Sequence, residues 1–219
     1  MDDPSLFETM YTSRALRRFK PDPVPDDLLF QVLDAAIRAP TGQNAQDWRF
    51  VIVTDPEVKQ QMQAWASEGW EAYASRFPDI DSLPRTQRLS LHSVRDLAHN
   101  LESVPVLIVV CGLRGRHSTP GGSTLPAVQN MLLAARGLGL AATIFNLGNR
   151  PQLAELLGIP EQDEVVCTVP VGYPVDRHGP VRRKPVAKVV YRERWGEPWA
   201  FAEAQPSEGW TSRWISGRS

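Results

Sequence analysis

The feature that most constrains the fold of this chain is a set of three short apolar runs rich in β-branched residues. They lie at residues 49–54 (RFVIVT), 104–112 (VPVLIVVCG) and 164–174 (EVVCTVPVGYP), and segments with helical periodicity separate them. Short continuous runs of Val and Ile are typical of buried strands. Strands that alternate with helices predict an α+β or α/β fold.

Apolar residues at helical spacing predict the helices between these strands. One is an amphipathic helix from Asp26 to Arg38, with Asp26 as its cap. A helix at residues 127–137 has many small residues, which predicts that it is buried. Further helices are predicted at residues 2–10, with Asp3 or Ser5 as cap, and at residues 56–73, 88–101 and 150–157, and a short strand is predicted at residues 141–146.

Composition excludes several classes of protein. Of the 219 residues, 42% are hydrophobic, so the chain can bury a sizeable core. The net charge of −1 gives no general attraction to nucleic acid or to an acidic membrane. The two cysteines are too few for a disulfide framework, and no close cluster of Cys and His predicts a metal site. With no apolar signal core near the N-terminus, a cytoplasmic location is the expectation.

Three arginines near the N-terminus form the first candidate site. Arg14, Arg17 and Arg18 lie within five residues, where their charges repel unless an anion is close. The planar donors of guanidinium match the oxygens of a phosphate. The alternative is a solvated basic turn whose arginines pair with aspartates nearby, namely Asp22, Asp26 or Asp27.

The second candidate is the loop and strand at residues 39–53 (APTGQNAQDWRFVIV), which follow the amphipathic helix. Asn44 and Gln46 can each donate and accept hydrogen bonds. Such side chains suit the edge of a heterocycle that presents both C=O and N–H groups, as a flavin does. The alternative is a polar turn in which the amides cap the local backbone. A third candidate is the basic stretch RRKP at residues 182–185, which otherwise is an exposed linker.

Taken together, these segments resemble the nitroreductase family of flavoproteins. The resemblance is carried by TSRALRRFKPDPVP at residues 12–25, by the loop and strand at residues 39–53 and by PAVQNMLLAARGLGLAATIF at residues 126–145. VPVGYP at residues 169–174, with RRKP after it, completes the match, which covers residues 8 to 195. Two residues depart from the family pattern: Ala15 stands where many members have Ser, and Asp47 stands where Pro is common.

The resemblance implies an α+β fold with a central mixed sheet flanked by helices, in an intertwined homodimer with an extended C-terminal arm. It also implies FMN at the subunit interface. Arg14 and Arg18, with Arg17 close by, would hold the FMN phosphate, and Arg182 or Arg183 would add a second contact there. The complete set of predicted cofactor-binding residues is Arg14, Ala15, Arg17, Arg18, Pro40, Thr41, Gly42, Asn44, Gln46, Thr143, Ile144, Arg182 and Arg183.

The activity implied is ping-pong hydride transfer from NAD(P)H, by way of FMN, to small electron-poor acceptors such as nitroaromatics, quinones or enones. The cofactor carries this chemistry, so no residue is predicted to be catalytic in the strict sense. Three alternatives remain open. They are a relative with other flavin chemistry (reductive dehalogenation or oxygen-dependent flavin breakdown), a non-catalytic flavin-binding protein, and an anion-binding protein without flavin.

The C-terminal end is the least regular part of the sequence. Residues 195 to 214 hold four of the seven tryptophans, at positions 195, 199, 210 and 214. One account is an arm that buries its aromatic residues on a partner subunit, and the other is a tail wrapped on its own domain. The expected organisation is a single FMN-binding domain at residues 1–195, followed by a C-terminal arm or tail at residues 196–219.

Overall fold

The computed structural model of the protein describes residues 4–115, 122–146 and 148–205. Within these ranges it contains seven α-helices and four strands. In chain order they are α1 (Leu6–Thr12), α2 (Asp26–Ala36), β1 (Trp48–Val53), α3 (Pro56–Ala74), α4 (Arg85–His99), β2 (Val106–Leu113), α5 (Thr124–Gly137), β3 (Ala141–Ala142), α6 (Arg150–Leu156), β4 (Asp163–Gly172) and α7 (Ala200–Glu203).

The contacts of the chain divide it into two compact units. The larger unit is Ala15–Arg177 and contains all four strands and helices α2 to α6. The smaller unit joins the two ends of the chain, and its described residues are 4–14 and 178–205. Within it, the backbone N–H of Val181 donates to the carbonyl of Tyr11 at 3.1 Å, which ties the two chain segments together.

The sheet of the larger unit has the strand order β1-β2-β4-β3. Each pair of neighbouring strands in the described residues is antiparallel, so the prediction of a mixed sheet was wrong there, while the α+β class is confirmed. Continuous apolar runs are typical of parallel strands because helices cover both faces of a parallel sheet. Here helices cover both faces of an antiparallel sheet, which produces the same sequence pattern.

Two hydrophobic clusters lie on the two faces of this sheet. On one face, α2 and α5 pack against the strands, and α5 is the buried helix that its small residues predicted. On the other face, the helices that pack against the strands are α3, α4 and α6. The buried side chains of this second cluster include Met62, Trp70, Leu97 and Leu153. The larger unit is therefore a three-layer arrangement of helices, sheet and helices.

Capping residues explain where several helices begin. Ser5 caps α1 by accepting a hydrogen bond from the backbone N–H of Glu8, which confirms one of the two predicted caps. Asp55 caps α3 in the same way, and Pro56 occupies the first position of that helix, where its missing N–H costs nothing. The prediction of Asp26 as a cap was wrong. Pro25 holds the cap position, and Asp26 is the first residue inside α2, where its charge favours the positive end of the helix dipole.

Other predicted boundaries are displaced by a few residues. Helix α2 ends at Ala36 and α4 spans Arg85–His99. The strand predicted at residues 141–146 is paired only at Ala141–Ala142, and the chain then leaves the ladder before Phe145 pairs with Thr168. No helix in the described part of the chain is long and apolar enough to cross a membrane.

The two cysteines lie on opposite faces of the sheet, at a point where the pairing of β2 with β4 is irregular. Val110 lies opposite Cys167, whereas the next residue, Cys111, lies opposite Val165, so β4 contains one extra residue at this point. Cys167 shares the α2 and α5 side of the sheet with its partner Val110, and Cys111 faces the other side because successive residues of a strand alternate in direction. Both cysteines are buried and free, and the sheet itself keeps them from pairing.

Candidate functional site

Arg17 is the most enclosed of the three N-terminal arginines. Its Nη1 lies 3.5 Å from the carbonyl oxygen of Ala15 and 3.5 Å from Oγ of Ser93 on α4. Its Nε is buried and has no hydrogen-bond partner among the described residues. Burial lowers the pKa of this guanidinium from its ordinary value, although it stays a cation at any physiological pH. A half-buried cation with an unused donor is suited to an anionic or strongly polar ligand.

Arg18 has a partner within the protein. Its Nε donates to Oδ2 of Asp176 at 2.9 Å, and its Nη2 donates to the other carboxylate oxygen, so the contact is bidentate. The pKa of Arg18 is raised, first by this hydrogen bond and then by the charge of Asp176. The alternative in which the basic turn pairs with nearby aspartates is therefore wrong for Arg18, because its partner follows β4 rather than the turn.

The loop between α2 and β1 contains Asn44 and Gln46 and is called the amide loop below. It is organised by Thr41. Its carbonyl oxygen accepts the backbone N–H of Asn44 at 3.1 Å, and its Oγ1 accepts the backbone N–H of Gln46 at 3.2 Å. The backbone N–H of Gly42 donates to Oγ of Ser123, which precedes α5, at 3.3 Å. These contacts leave the side chain of Asn44 exposed and without a hydrogen bond to any described residue.

The same loop holds three residues with left-handed backbone. Gln43, Asn44 and Gln46 have φ angles of 56°, 54° and 50°. This conformation costs a residue with a side chain roughly 1 kcal/mol, although Asn tolerates it better than most. Strained backbone of this kind is concentrated at functional sites, where surrounding structure holds it in place. The loop is therefore a stronger candidate for a binding site than its amides alone indicate.

Thr143 and Ile144 follow β3, at the point where the chain leaves the ladder. Thr143 is buried and Ile144 is exposed. A cavity of about 190 Å³ lies beside Ile144 and has both charged and apolar walls. This volume is below the roughly 300–1,000 Å³ that is usual for ligand pockets. The residues that line the cavity include Leu125, Ile144, Asn146, Arg150, Glu164 and Cys167.

The remaining predicted residues are on the surface. Ala15 and Pro40 are exposed in the larger unit. Arg14, Arg182 and Arg183 are exposed in the smaller unit, where Nη1 of Arg183 donates to the carbonyl of Arg182 at 3.0 Å. Sequence reasoning missed Ser93, Ser123 and Asp176, each of which contacts a predicted residue. No local signal could have found them, since each is far along the chain from its partner.

Few other groups in the described residues are arranged for chemistry. Burial raises the pKa of the Cys111 thiol to about 11, and that of Cys167 also to about 11, so both are protonated at neutral pH. His92 and His99 form surface pairs with Asp81 and Glu71. No group of three or more His, Cys, Asp or Glu side chains in the described ranges could hold a metal ion.

A comparison with protein families matches the model of the Nitroreductase family at residues 12–173. This match spans most of the chain. It includes the arginines at positions 14, 17 and 18, the loop between α2 and β1, and all four strands. The chain belongs to the nitroreductase family. The predicted nitroreductase-like fold is thereby confirmed.

Relatives of the chain are named for different activities. The chain is 28% identical over 188 residues to an NADH dehydrogenase of Thermus thermophilus, which covers 81% of this chain and 90% of that protein. It is also 28% identical over 189 residues to iodotyrosine deiodinase 1 of Rattus norvegicus, covering 80% of this chain and 64% of the deiodinase.

Among solved structures, similarity extends to a crystal structure of oxidised iodotyrosine deiodinase bound to FMN and 3-iodo-L-tyrosine. The TM-score is 0.69 at 26% identity, covering 87% of this chain and 99% of that one.

Proposed function

We propose that this protein is an FMN-dependent oxidoreductase that moves reducing equivalents from NAD(P)H to small electron-poor acceptors such as nitroaromatics, quinones or enones. The observation that carries the proposal is Arg17, a half-buried cation whose Nε has no partner among the described residues. Membership of the nitroreductase family makes a flavin nucleotide the ligand that this donor would meet.

The residues present fit FMN by their chemistry. A flavin nucleotide presents an anionic phosphate and a ring edge with both donors and acceptors. Arg17 supplies an unused cationic donor, and Asn44 supplies an unused amide. Thr41 and Gly42 would add backbone and hydroxyl groups from the same loop. Thr143 and Ile144, after β3, are the proposed contacts of the chain with the ring.

Arg18, Arg14, Arg182 and Arg183 remain predicted phosphate contacts. Of the N-terminal arginines, Arg17 is favoured by its buried donor without a described partner, because the charge of Arg18 is already paired with Asp176 through Nε and Nη2. Three further residues remain predicted FMN contacts. Ala15 would act through its backbone, Gln46 through its side-chain amide, and Pro40 through its place at the start of the loop.

When bound, FMN supplies two-electron redox chemistry, with hydride entering from a nicotinamide and electrons leaving to an acceptor. The protein's part is to bind, to orient and to stabilise charge. A fixed cation and rigid backbone donors favour an anion formed next to them more than mobile water does. The strained amide loop is suited to this task because its conformation is set before a ligand arrives.

We further propose that the active form is a homodimer. The cavity beside Ile144 is too small for a flavin nucleotide by itself, so residues of a second copy would complete the site. Trp195, the first tryptophan of the tryptophan-rich C-terminal end, is 89% exposed, which favours the account of that end as an arm that covers a partner subunit. Two of the predicted tail tryptophans, at positions 210 and 214, lie outside the described residues.

The experiment that tests the function is an anaerobic visible spectrum of the purified protein before and after NADH or NADPH is added. A flavin spectrum that bleaches with a nucleotide and returns with a nitroaromatic or quinone is the expected result. A flavin spectrum that neither nucleotide bleaches would contradict the reductase proposal. No flavin after incubation with FMN and desalting would contradict the cofactor as well.

Reductive dehalogenation is the second candidate, because the chain resembles iodotyrosine deiodinases in both sequence and structure. In that reaction two electrons and a proton replace a carbon–halogen bond with carbon–hydrogen and release halide. Dithionite-reduced protein would be incubated with 3-iodo-L-tyrosine and the iodide released would be measured. Iodide release together with a flavin that resists NAD(P)H would favour this function over the first.

A further inference from the structure

Helix α4 contacts Arg17 through one of its faces. Ser93 on this face has its Oγ 3.5 Å from Nη1 of Arg17. Asp96 is three residues later, and residues at this spacing share a helix face. The charge of Asp96 contributes to the raised pKa of Arg18, after the larger effects of Asp176. Two polar residues of α4 thus act on the two neighbouring arginines.

The contacts of Arg17 restrain one end of its guanidinium group. Both described hydrogen bonds involve Nη1, and both are long. The partner in one is the backbone carbonyl of Ala15, only two residues away, which moves with the segment itself. Ser93 is the described hydrogen-bond partner that belongs to a different element, so its hydroxyl ties the guanidinium to α4.

We propose that Ser93 is a positioning residue that aims the guanidinium of Arg17 at FMN. This inference rests on the proposed function, since it concerns the same site. The hydroxyl accepts from Nη1, so the buried Nε is left without a described partner. Loss of the hydroxyl frees the guanidinium to rotate, and each rotamer-rich side chain that must be ordered on binding weakens the affinity.

The test is a fluorescence titration of FMN into apoprotein of four kinds: wild type, Ser93→Ala, Ser93→Thr and Ser90→Ala. Ser90 is the matched control. It lies one turn earlier on α4, it is exposed, and its side-chain hydroxyl has no hydrogen bond to a described residue. Ser93→Ala should weaken FMN binding roughly three- to tenfold, as expected for the loss of one long hydrogen bond of ordinary strength. Ser93→Thr should restore most of the affinity, and Ser90→Ala should match wild type.

A double-mutant cycle separates positioning from a general structural role. In an Arg17→Ala background, Ser93→Ala should have no further effect on FMN affinity, because the side chain through which it acts is gone. An equal loss in both backgrounds, or wild-type affinity in Ser93→Ala alone, overturns the inference while leaving the FMN proposal intact. Failure of wild-type protein to bind FMN overturns the function itself.

Discussion

Arg18 donates two hydrogen bonds to the carboxylate of Asp176, a residue 158 positions away along the chain. The pair joins the segment before α2 to the segment that follows β4. It also distinguishes the neighbouring arginines, because Arg17 keeps a buried donor without a described partner, whereas Nε and Nη2 of Arg18 are engaged by Asp176. We therefore expect that exchanging one arginine for alanine has different effects at the two positions.

Arg17→Ala should weaken FMN binding roughly tenfold or more, since a charge-assisted hydrogen bond is removed. Arg18→Ala should change the affinity less than about threefold and leave Tm almost unchanged, because exposed ion pairs contribute little to stability. Fluorescence titration and thermal melts of both variants measure the difference. A larger loss of FMN affinity in Arg18→Ala than in Arg17→Ala would indicate that Arg18 is the main contact of the FMN phosphate.

Two glycine substitutions in the amide loop should separate backbone strain from ligand binding. Gln43→Gly relieves a left-handed residue and should raise the free energy of unfolding by up to about 1 kcal/mol without changing FMN affinity. Asn44→Gly relieves a similar φ angle but also removes the exposed amide, so FMN affinity should fall while the fold persists. Denaturant unfolding and FMN titration of both variants are the measurements. Equal FMN affinities in the two variants would show that the Asn44 amide takes no part in binding.

Gly172, the last residue of β4, is required by close packing. A Cβ at this position would lie 3.0 Å from Cδ of Pro105 and 3.1 Å from Cδ1 of Phe19. Gly172→Ala should therefore destabilise the protein by about 1–3 kcal/mol, as overpacking does. The control is Gly137→Ala, where an added Cβ has nothing within 4 Å. Urea unfolding of the two variants is the measurement. Equal unfolding midpoints would mean that Pro105 and Phe19 can shift to make room for the added Cβ without loss of stability.

The two buried thiols should make stability depend on pH in the alkaline range. Burial raises the pKa of Cys111 and of Cys167 to about 11 from an ordinary value of 9.0. The unfolded chain loses these protons first as pH rises, so the free energy of unfolding should fall between about pH 9 and pH 11.

The control for this alkaline effect is the double variant Cys111→Ala, Cys167→Ala, which keeps every other titrating group. Its free energy of unfolding should fall less steeply over the same pH range than that of wild type. If the free energy of unfolding falls equally steeply with pH in the two proteins, residues other than the cysteines cause the alkaline loss of stability. In native wild type at pH 8, both thiols should also react slowly with a thiol reagent.

A homodimer should be evident in sedimentation equilibrium as a mass of about twice 24.4 kDa. Helix α1 exposes Leu6 by 61% and Met10 by 46%, which is much apolar surface for a short helix. Leu6→Glu combined with Met10→Glu should shift the equilibrium toward monomer if α1 is part of the interface. A monomeric wild type at micromolar concentration would contradict the proposed dimer.

Local patterns predicted most of the fold because local physics determines those elements. Pro56 after Asp55 begins α3, and the small residues of α5 fit a buried helix. The antiparallel direction of the strands could not be predicted, because burial on both faces gives the same apolar run for either direction. The start of α5 at Thr124, three residues before the helix predicted at residues 127–137, also has no strong signal in the sequence.

The candidate site was predicted by residue type but not by contact. The arginines and amides carry chemistry that can be read from a sequence, whereas their partners Asp176, Ser93 and Ser123 are distant in sequence and ordinary in type. The left-handed conformations of Gln43 and Gln46 were equally hidden, since neither residue type favours them. Contacts between distant elements depend on the finished packing, and short motifs do not encode that.

Helices α3 and α4 interrupt the chain between two strands that are direct neighbours in the sheet. The two helices supply much of the second hydrophobic cluster, so deletion of the pair would expose a large part of one face of the sheet to water. The segment between them, residues 75–84, has mostly exposed side chains and forms no part of the strand ladder. A foreign peptide, a fluorophore or an affinity tag could consequently be attached within residues 75–84 without disturbing the register of the strands.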